Sequence, residues 1–296
     1  MIQAAAAATR STAEFVRTAA PREFAFTDRE FDKIAKRLYE EAGIDMPRSK
    51  EPLVYSRLAK RIRQLGLGGF KDYIELIERA GTDEIEHMLV ALTTNVTRYF
   101  REPHHFDDLR AAIMPGLIEK ARARRKVRLW SAGCSSGEEP YSIALTVLET
   151  MPDARSFDVK ILATDINTHV LRMGRAGLYP AQALEPAPKV LIEKYFSRAE
   201  DGVMQAGEEL RSMVFFRPLN LMGDWPMRGQ FDVIFCRNVA IYFDESTQAT
   251  IWRRLAEKLV PGGRLYIGHS ERIGGPAAQM LVTDGVTSYR RAGGAV

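Results

Sequence analysis

The stretch SAGCSSGEEPYSIAL, residues 131–145, decides the fold. It follows the apolar run VRLW, which has the composition of a buried strand, and it leads into a run with helical spacing. Gly133 and Gly137 place a glycine turn between the two, as in open α/β sheets that hold a cofactor beyond the first strand. The turn ends in two adjacent acids, Glu138 and Glu139, which would repel a phosphate.

Strands and helices alternate on the carboxyl-terminal side of residue 126. Apolar strands that alternate with helices predict a doubly wound, largely parallel α/β sheet, which is a Rossmann-like arrangement. The sequence Pro261-Gly262-Gly263 predicts a turn between the last helix and the last strand. The predicted strands span 127–133, 159–165, 213–220, 231–238 and 263–270, and the predicted helices span 138–150, 167–176 and 246–259.

The residues before the sheet have a different pattern, with short amphipathic helices and no strand signal. Thr27 and Glu30 form a capping box at the start of the first helix, and Gly43 is a typical helix stop. Prolines and a possible hairpin at Asp201-Gly202 interrupt the later alternation. We therefore predict a tail at 1–21, a helical domain at 22–95, a linker helix at 96–126, and an α/β domain at 127–296 with an insertion at about 180–212.

The composition excludes several classes of protein. Hydrophobic residues make up 46% of the 296 residues, and no run approaches the roughly 20 apolar residues of a membrane-spanning helix. The alanine-rich start lacks the basic region of a signal peptide, so we expect a cytoplasmic protein that is not inserted in a membrane. Cys134 and Cys236 are too few for a disulfide framework or a zinc site, and we expect both to be buried.

Positive charge is concentrated around the second predicted helix. Between Arg48 and Lys71 the only acid is Glu51. Such a run fits an anionic partner, either nucleic acid or an acidic protein surface, whereas a solvated helix face without a partner is the alternative. The basic residues that we expect on one side of this helix are Arg57, Lys60, Arg61 and Arg63.

The glycine spacing restricts the ligand of the turn. The spacing is G-x-x-x-G, so the dinucleotide fingerprint G-x-G-x-x-G is absent, and so is the lysine of a P-loop. S-adenosylmethionine suits the acids better, because it has no phosphate and carries an amino group and a ribose diol. Asp165 ends the second predicted strand, where an acid accepts hydrogen bonds from ribose hydroxyls. An N-cap of the following helix is the alternative role for Asp165.

Several motifs in a fixed order complete a resemblance to a known family. They are NVTRYFR at 95–101, GEEPYSIA at 137–144, ATDI at 163–166, NL at 220–221, FDVIFCRNVAIYF at 231–243 and GHSE at 268–271. Together, over about residues 25–290, the chain resembles the CheR chemoreceptor glutamate O-methyltransferases. The resemblance implies methyl transfer from S-adenosylmethionine to glutamate carboxylates of chemoreceptors, with S-adenosylhomocysteine as product. It also implies a small helical N-terminal domain and identifies the insertion as a β-subdomain.

The resemblance implies individual roles at the cofactor. Arg101 would pair with the cofactor carboxylate, Glu138 would accept from its amino group, and Asp165 would hold the ribose. Singly, Arg101 and Asn95 have helix capping as an alternative role. The full set of cofactor-binding residues that the resemblance implies is Asn95, Thr97, Arg101, Glu138, Asp165, Asn220, Leu221, Arg237 and Asn238.

Tyr242 resembles the active-site tyrosine of the family, with a core ring as the alternative. A glutamate carboxylate is ionised at neutral pH and needs no general base, so we expect Tyr242 and an arginine to orient it. The family's further active-site arginine has three candidates here, Arg122, Arg124 and Arg125. We expect no metal, because no ligand spacing links His104, His105 and His269.

The resemblance also implies the partners. The basic helix at 48–71 would dock the acidic cytoplasmic helices of a chemoreceptor. Some members bind a peptide at the receptor C-terminus through a longer Gly-rich loop, but SRAEDGVMQAG at 197–207 is short, so we expect no tail-peptide binding and a monomer.

Two rival functions share the fold. A nucleic-acid methyltransferase would carry an N-P-P-Y type motif where this chain has Arg237-Asn238-Val239-Ala240, so we expect no nucleic acid. A non-catalytic, cofactor-binding adaptor is the second rival, and Arg237, Asn238 and Tyr242 count against it.

Overall fold

The computed structural model describes residues 22–79 and 82–293, and the predicted tail at 1–21 lies outside them. The capping box predicted at Thr27 and Glu30 is confirmed at the start of the first helix, which ends at Gly43 with a left-handed φ of 69°. Apolar faces of the first helices pack into a core of their own. These helices are α1 (Asp28–Ala42), α2 (Glu51–Gln64), α3 (Phe70–Glu78) and α4 (Glu84–Leu92).

A second group of helical segments leads from this core to the sheet. The segments are α5 (His104–Asp108), a π-helical turn (Leu109–Ile113) and α6 (Met114–Arg122). Phe106 and Leu109 are fully buried in the core of the sheet, so this connection packs against the sheet itself.

The α/β fold class predicted from the alternation is confirmed. The main sheet has the order β6-β2-β1-β7-β8-β10-β9, in which the first five strands are parallel and β10 is antiparallel to both neighbours. The strands are β1 (Val127–Ala132), β2 (Val159–Asp165), β3 (Leu178–Pro180), β4 (Phe196–Glu200), β5 (Val203–Ala206), β6 (Val214–Pro218), β7 (Phe231–Cys236), β8 (Leu259–Ile267), β9 (Leu281–Thr283) and β10 (Ser288–Arg291).

Helices cover both faces of this sheet, as burial of its apolar strands requires. Ile143 and Leu145 of α7 are fully buried with one face, and Trp252 of α11 is fully buried with Trp130 on the other. The remaining helices are α7 (Glu138–Thr150), α8 (Thr168–Ala176), α9 (Lys189–Tyr195), α10 (Glu208–Arg211) and α11 (Glu245–Lys258).

A second, antiparallel sheet occupies the predicted insertion, with the order β3-β5-β4. The hairpin predicted at Asp201-Gly202 is confirmed, because these residues join β4 to β5. Among the described residues, none of the helices combines the length and the apolar character that crossing a bilayer requires.

The turn predicted at Pro261-Gly262-Gly263 is wrong, because β8 runs through these residues. The pairing with β7 jumps from Phe231↔Leu259 to Val233↔Arg264, so the segment is a bulge inside the strand. Gly262 supplies the left-handed φ of 77° that the bulge uses.

Candidate functional site

A cavity of about 500 Å³ lies beyond the carboxyl ends of β1, β2 and β7. This is the edge at which open α/β sheets hold their ligands. Segments of the helical region, including Ala42, Asp45 and Lys50, form its other wall. The structure brings to this cavity all but one of the predicted cofactor and catalytic residues, namely Asn95, Thr97, Arg101, Asp165, Asn220, Leu221, Arg237, Asn238 and Tyr242.

The glycine turn needs both of its glycines. Gly133 has a φ of 78°, and a Cβ there would lie 2.3 Å from Cγ2 of Val239, in the turn after β7. Gly137 has a φ of 103°, and a Cβ there would lie 2.7 Å from the hydroxyl of Tyr179. Both conformations are costly for other residues, and the first glycine also lets two site-forming turns touch.

Asp165 is nine-tenths buried and lines the cavity. Its carboxylate accepts hydrogen bonds from the backbone N–H groups of Ser135 at 2.8 Å and Asn167 at 2.9 Å. Burial raises the pKa of this carboxyl, and the backbone hydrogen bonds oppose that shift. The alternative of an N-cap role is wrong, because the side chain of Asn167 caps α8 by accepting from His169 and Val170.

The two acids at the start of α7 have different surroundings. Glu138, which was predicted to contact the cofactor, is not among the residues that line the cavity and accepts from the Ser136 hydroxyl at 2.7 Å. Its neighbour Glu139 does line the cavity and accepts from the Ser131 hydroxyl at 2.7 Å. Burial raises the pKa of both carboxyls. The helical phase therefore turns Glu139 toward the cavity, although no individual contact with the cofactor was predicted for it.

Arg237 is a buried cation between two carboxylates. Its side chain is 1% exposed, with Nη1 3.5 Å from Glu139 Oε2 and Nε 3.7 Å from Glu102 Oε2. Nη2 donates to the carbonyl of Arg101. Burial lowers the pKa of Arg237, and the two carboxylates oppose that shift. Within the described residues, Nε and Nη1 have no hydrogen-bond partner.

The segment 95–101 has no regular secondary structure and lines the cavity. The carbonyl of Asn95 accepts from the Ser135 hydroxyl at 2.9 Å, and Arg101 Nη1 donates to the carbonyl of Val96 at 3.0 Å. Asn95 follows the end of α4 and precedes no helix directly, so the capping alternative for it is wrong. Arg98, which the sequence analysis did not single out, also lines the cavity.

Tyr242 and Asn220 are held by the helical region. The backbone N–H of Asp45 donates to the carbonyl of Tyr242 at 2.8 Å. The side-chain amide of Asn220 donates to the carbonyl of Glu41 at 2.6 Å, so Asn220 bridges the two parts of the chain. Tyr242 lines the cavity with a partly exposed ring, which excludes the core-ring alternative, and burial raises the pKa of its hydroxyl.

The predicted docking helix is only partly a free surface. Arg57 Nη1 donates to the carbonyls of Ala91 and Leu92, which end α4, and to the carbonyl of Thr93 at 2.8 Å. Arg61 pairs through two nitrogens with Glu84, which is 5% exposed. These two arginines therefore stabilise the helical core. Arg63 is exposed and pairs with Glu23. Lys60 is exposed and has no salt-bridge partner among the residues in 22–79 and 82–293.

The arginine candidates at the end of α6 are wrong. Arg122, Arg124 and Arg125 lie just before β1, at the opposite end of the sheet from the cavity, and none of them lines it. Arg124 instead stacks over the ring of Phe157, with its guanidinium carbon 5.2 Å from the ring centre.

Both cysteines are buried as expected, and burial raises the pKa of each thiol.

One cluster of metal-ligand atoms was not predicted from the ligand spacing in the sequence. The ligand atoms of Glu102, His104 and His105 lie within 4.8 Å of one another. The Arg237 guanidinium lies 3.7 Å from the same Glu102 carboxylate and opposes a second cation there. We assign no metal to this cluster.

Comparisons with known proteins match both parts of the chain. Residues 29–93 match the family model described as CheR methyltransferase, all-alpha domain, and residues 95–287 match CheR methyltransferase, SAM binding domain. A probable chemotaxis protein methyltransferase of Rhizobium etli is 49% identical over 86% of this chain and 96% of that relative.

A chemotaxis protein methyltransferase of Escherichia coli is 41% identical over 83% of this chain and 85% of that relative. Among solved structures, PKMT2 from Rickettsia typhi in complex with AdoHcy aligns with 18% identity and a TM-score of 0.31, over 48% of this chain and 20% of that one.

Proposed function

The chain belongs to the CheR methyltransferase family and catalyses S-adenosylmethionine-dependent methylation in chemotaxis, and on this premise we propose that its acceptor is a glutamate carboxylate of a chemoreceptor. The products would be a glutamyl methyl ester and S-adenosylhomocysteine. The observation that supports this most directly is the cavity that Asp165, Arg101, Arg237 and Tyr242 line together between the sheet and the helical region.

The cavity suits the cofactor. Its volume of about 500 Å³ is in the range that holds a nucleoside-sized ligand. Nη1 of Arg237 and Oδ1 of Asn238 are buried and lack hydrogen-bond partners among the described residues, and a polar ligand would satisfy them. Asp165 retains lone pairs for the ribose hydroxyls, and Arg101 supplies a cation for the carboxylate of the cofactor. When bound, S-adenosylmethionine supplies an electrophilic methyl group.

The chain needs to orient its acceptor rather than deprotonate it. A glutamate side chain is ionised at neutral pH, so no general base is required. Consistently, there is no histidine among the described residues that line the cavity. Lys50 and Arg98 line it and would attract the substrate carboxylate, while the Tyr242 hydroxyl would donate a hydrogen bond to it. Pairing that was too tight would stabilise the substrate rather than the transition state.

We further propose that the receptor docks on the exposed part of α2. Lys60 and Arg63 are the exposed cations of the predicted set, so electrostatic steering would act through them. The turn between Glu200 and Val203 in the small sheet is short, which supports our proposal that the enzyme does not bind a receptor tail peptide. We also propose that the protein acts in the cytoplasm on the cytoplasmic helices of the receptor. We propose that it acts there as a monomer.

Mild base treatment tests the reaction. The protein is incubated with methyl-labelled S-adenosylmethionine and receptor-bearing membranes, and the washed membranes are then exposed to mild alkali. Label released as volatile methanol identifies a carboxyl ester and supports the proposal. Base-stable label indicates methylation of nitrogen and contradicts it. Absence of label from several receptor preparations, with intact cofactor binding, would instead support a non-catalytic adaptor.

A further inference from the structure

The turn that follows β7, residues 237–240, carries much of the site. Arg237 and Asn238 line the cavity, and the chain continues directly into the short helical turn Ala240–Tyr242. Asn238 has a φ of 58°, a left-handed conformation that is uncommon outside glycine, although asparagine adopts it more readily than most residues. Such a conformation persists only where its surroundings over-determine it.

A single buried carboxylate binds the whole turn. Glu271 is 3% exposed, and its Oε1 accepts from the backbone N–H groups of Val239 at 2.9 Å and Ala240 at 2.7 Å. Its Oε2 accepts from the N–H groups of Asn238 at 2.9 Å and Gly268 at 2.6 Å. Within the part of the chain that the structure describes, Glu271 has no salt-bridge partner within 4.0 Å, so these N–H groups and the more distant Arg237 cation compensate its charge.

Gly268 completes the support. A Cβ at position 268 would lie 2.6 Å from Nδ2 and 2.8 Å from the backbone nitrogen of Asn238. The glycine therefore lets the segment after β8 approach the turn closely enough for Glu271 to reach it. On its other side the turn rests on Gly133, which Val239 touches. The turn is thus clamped between Glu271 and the glycine turn that follows β1.

We infer that Glu271 is a positioning residue for methyl transfer, which fixes Arg237, Asn238 and Tyr242 at the cavity by accepting hydrogen bonds from the turn between them. Glu271 itself does not line the cavity, so it acts through these residues. A glutamine cannot replace it, because its NH₂ group would face two of the N–H donors in place of an acceptor. This inference rests on the proposed function only in the measurement of methyl transfer. Amide exchange and cofactor affinity test it independently of the acceptor.

The test compares Glu271→Gln with Gly268→Ala, which keeps the carboxylate but pushes Asn238 away. Asp232→Asn is the control, because Asp232 is also buried and accepts a backbone N–H, that of Arg128, at the opposite end of β7, where it also pairs with Lys120. Three readouts are taken well below each melting temperature: amide hydrogen exchange at 238–240, affinity for S-adenosylhomocysteine, and kcat and KM for receptor methylation.

We expect Glu271→Gln to speed amide exchange at 238–240 by roughly 10-fold or more, since a lost hydrogen bond to a charged group costs about that factor. Both Glu271→Gln and Gly268→Ala should weaken S-adenosylhomocysteine binding and lower kcat about 10-fold or more, with a smaller change in the KM for the receptor. Asp232→Asn should lower the melting temperature while kcat stays within about twofold.

Two results would overturn the inference. One is fast exchange at 238–240 with wild-type affinity and kcat, which would make the contact purely structural. The other is a loss of kcat in all three variants that follows their melting temperatures. If Glu271→Gln does not fold, the comparison of cofactor affinity and kcat between Gly268→Ala and Asp232→Asn decides whether the inference holds. A failure of the proposed reaction is recognised separately, because the wild-type protein would then form no base-labile ester, whereas exchange and cofactor affinity would still report on Glu271.

Discussion

The carboxylate of Asp165 accepts a hydrogen bond from the backbone N–H of Ser135 at 2.8 Å. This bond ties the end of β2 to the glycine turn after β1, so the acid and the turn together form one wall of the cavity. The Ser135 hydroxyl donates in turn to the carbonyl of Asn95 at 2.9 Å, which adds the segment from the helical region to the same wall.

Changing Asp165→Asn should weaken cofactor binding about 10- to 100-fold, the usual range for losing a charged hydrogen-bond acceptor. The amide would also turn its NH₂ group toward one of the backbone donors that the carboxylate now satisfies. Titration calorimetry with S-adenosylhomocysteine measures the effect. Asp158→Asn is the control, because Asp158 precedes the other end of β2 and pairs with Arg128. If the two variants bound S-adenosylhomocysteine with equal affinity, Asp165 would not be a cofactor-binding residue.

Tyr242→Phe should lower kcat roughly 10- to 100-fold, because one hydrogen-bond donor to the substrate carboxylate is lost. Cofactor affinity should stay nearly unchanged, since the ring and the backbone contact from Asp45 remain. Steady-state methylation and calorimetry are measured together. Tyr39→Phe is the matched control: the Tyr39 hydroxyl donates to Asp244 at 2.8 Å and does not line the cavity. A parallel loss of cofactor affinity in Tyr242→Phe would contradict a role confined to the substrate.

Features encoded by neighbouring residues could be predicted from the sequence. The capping box at Thr27 and the stop at Gly43 fix α1, and the predicted strand 159–165 and helix 138–150 have the observed bounds. Strand identity and order along the chain follow from such local patterns, because apolar periodicity and turn residues act within a few positions. The bulge at Gly262 was mistaken for a turn, since the same Pro-Gly-Gly chemistry serves both and only pairing with β7 distinguishes them.

Features that depend on distant partners could not be predicted. Arg61 looks like a surface cation until Glu84, 23 positions away, is known to lie buried beside it. Glu139 rather than Glu138 faces the cavity because α7 begins in a particular phase against Ser131 and Arg237. Both outcomes are set by packing between segments that no local pattern relates.

Reversing the charge of Lys60 tests the docking surface. Lys60→Glu should reduce kcat/KM for receptor methylation several-fold at low salt, with the difference shrinking as salt screens the interaction. Cofactor affinity should not change, because Lys60 does not line the cavity. Lys126→Glu is the control, as an exposed lysine just before β1 at the opposite end of the sheet. Identical salt dependence in the two variants would show that α2 does not dock the receptor.

His105 should make the stability of the protein depend on pH at values above those at which carboxyl groups titrate. The residue is fully buried, and burial lowers its pKa to about 3, with the Arg237 and His104 charges acting in the same direction and Glu102 against them. An unfolded histidine has a pKa of about 6.5. As the pH falls below that value the unfolded chain takes up a proton that the folded chain refuses, so the free energy of unfolding falls until the pH reaches about 3.

Between pH 7 and pH 5 the titration of His105 should lower the free energy of unfolding by about 2 kcal/mol. The slope is about 1.4 kcal/mol per pH unit below the pKa of the unfolded chain. Urea unfolding at several pH values measures the slope for the wild type and for His105→Gln, which removes the titrating ring. Glu102 has a pKa below its ordinary value, since Arg237 and His269 outweigh the effect of its burial, so its own contribution is lost only at lower pH. His169→Asn, at an exposed histidine of α8, is the control for the loss of a histidine outside the core. Parallel curves for the wild type and His105→Gln would mean that His105 is protonated in the folded protein at the same pH as in the unfolded chain.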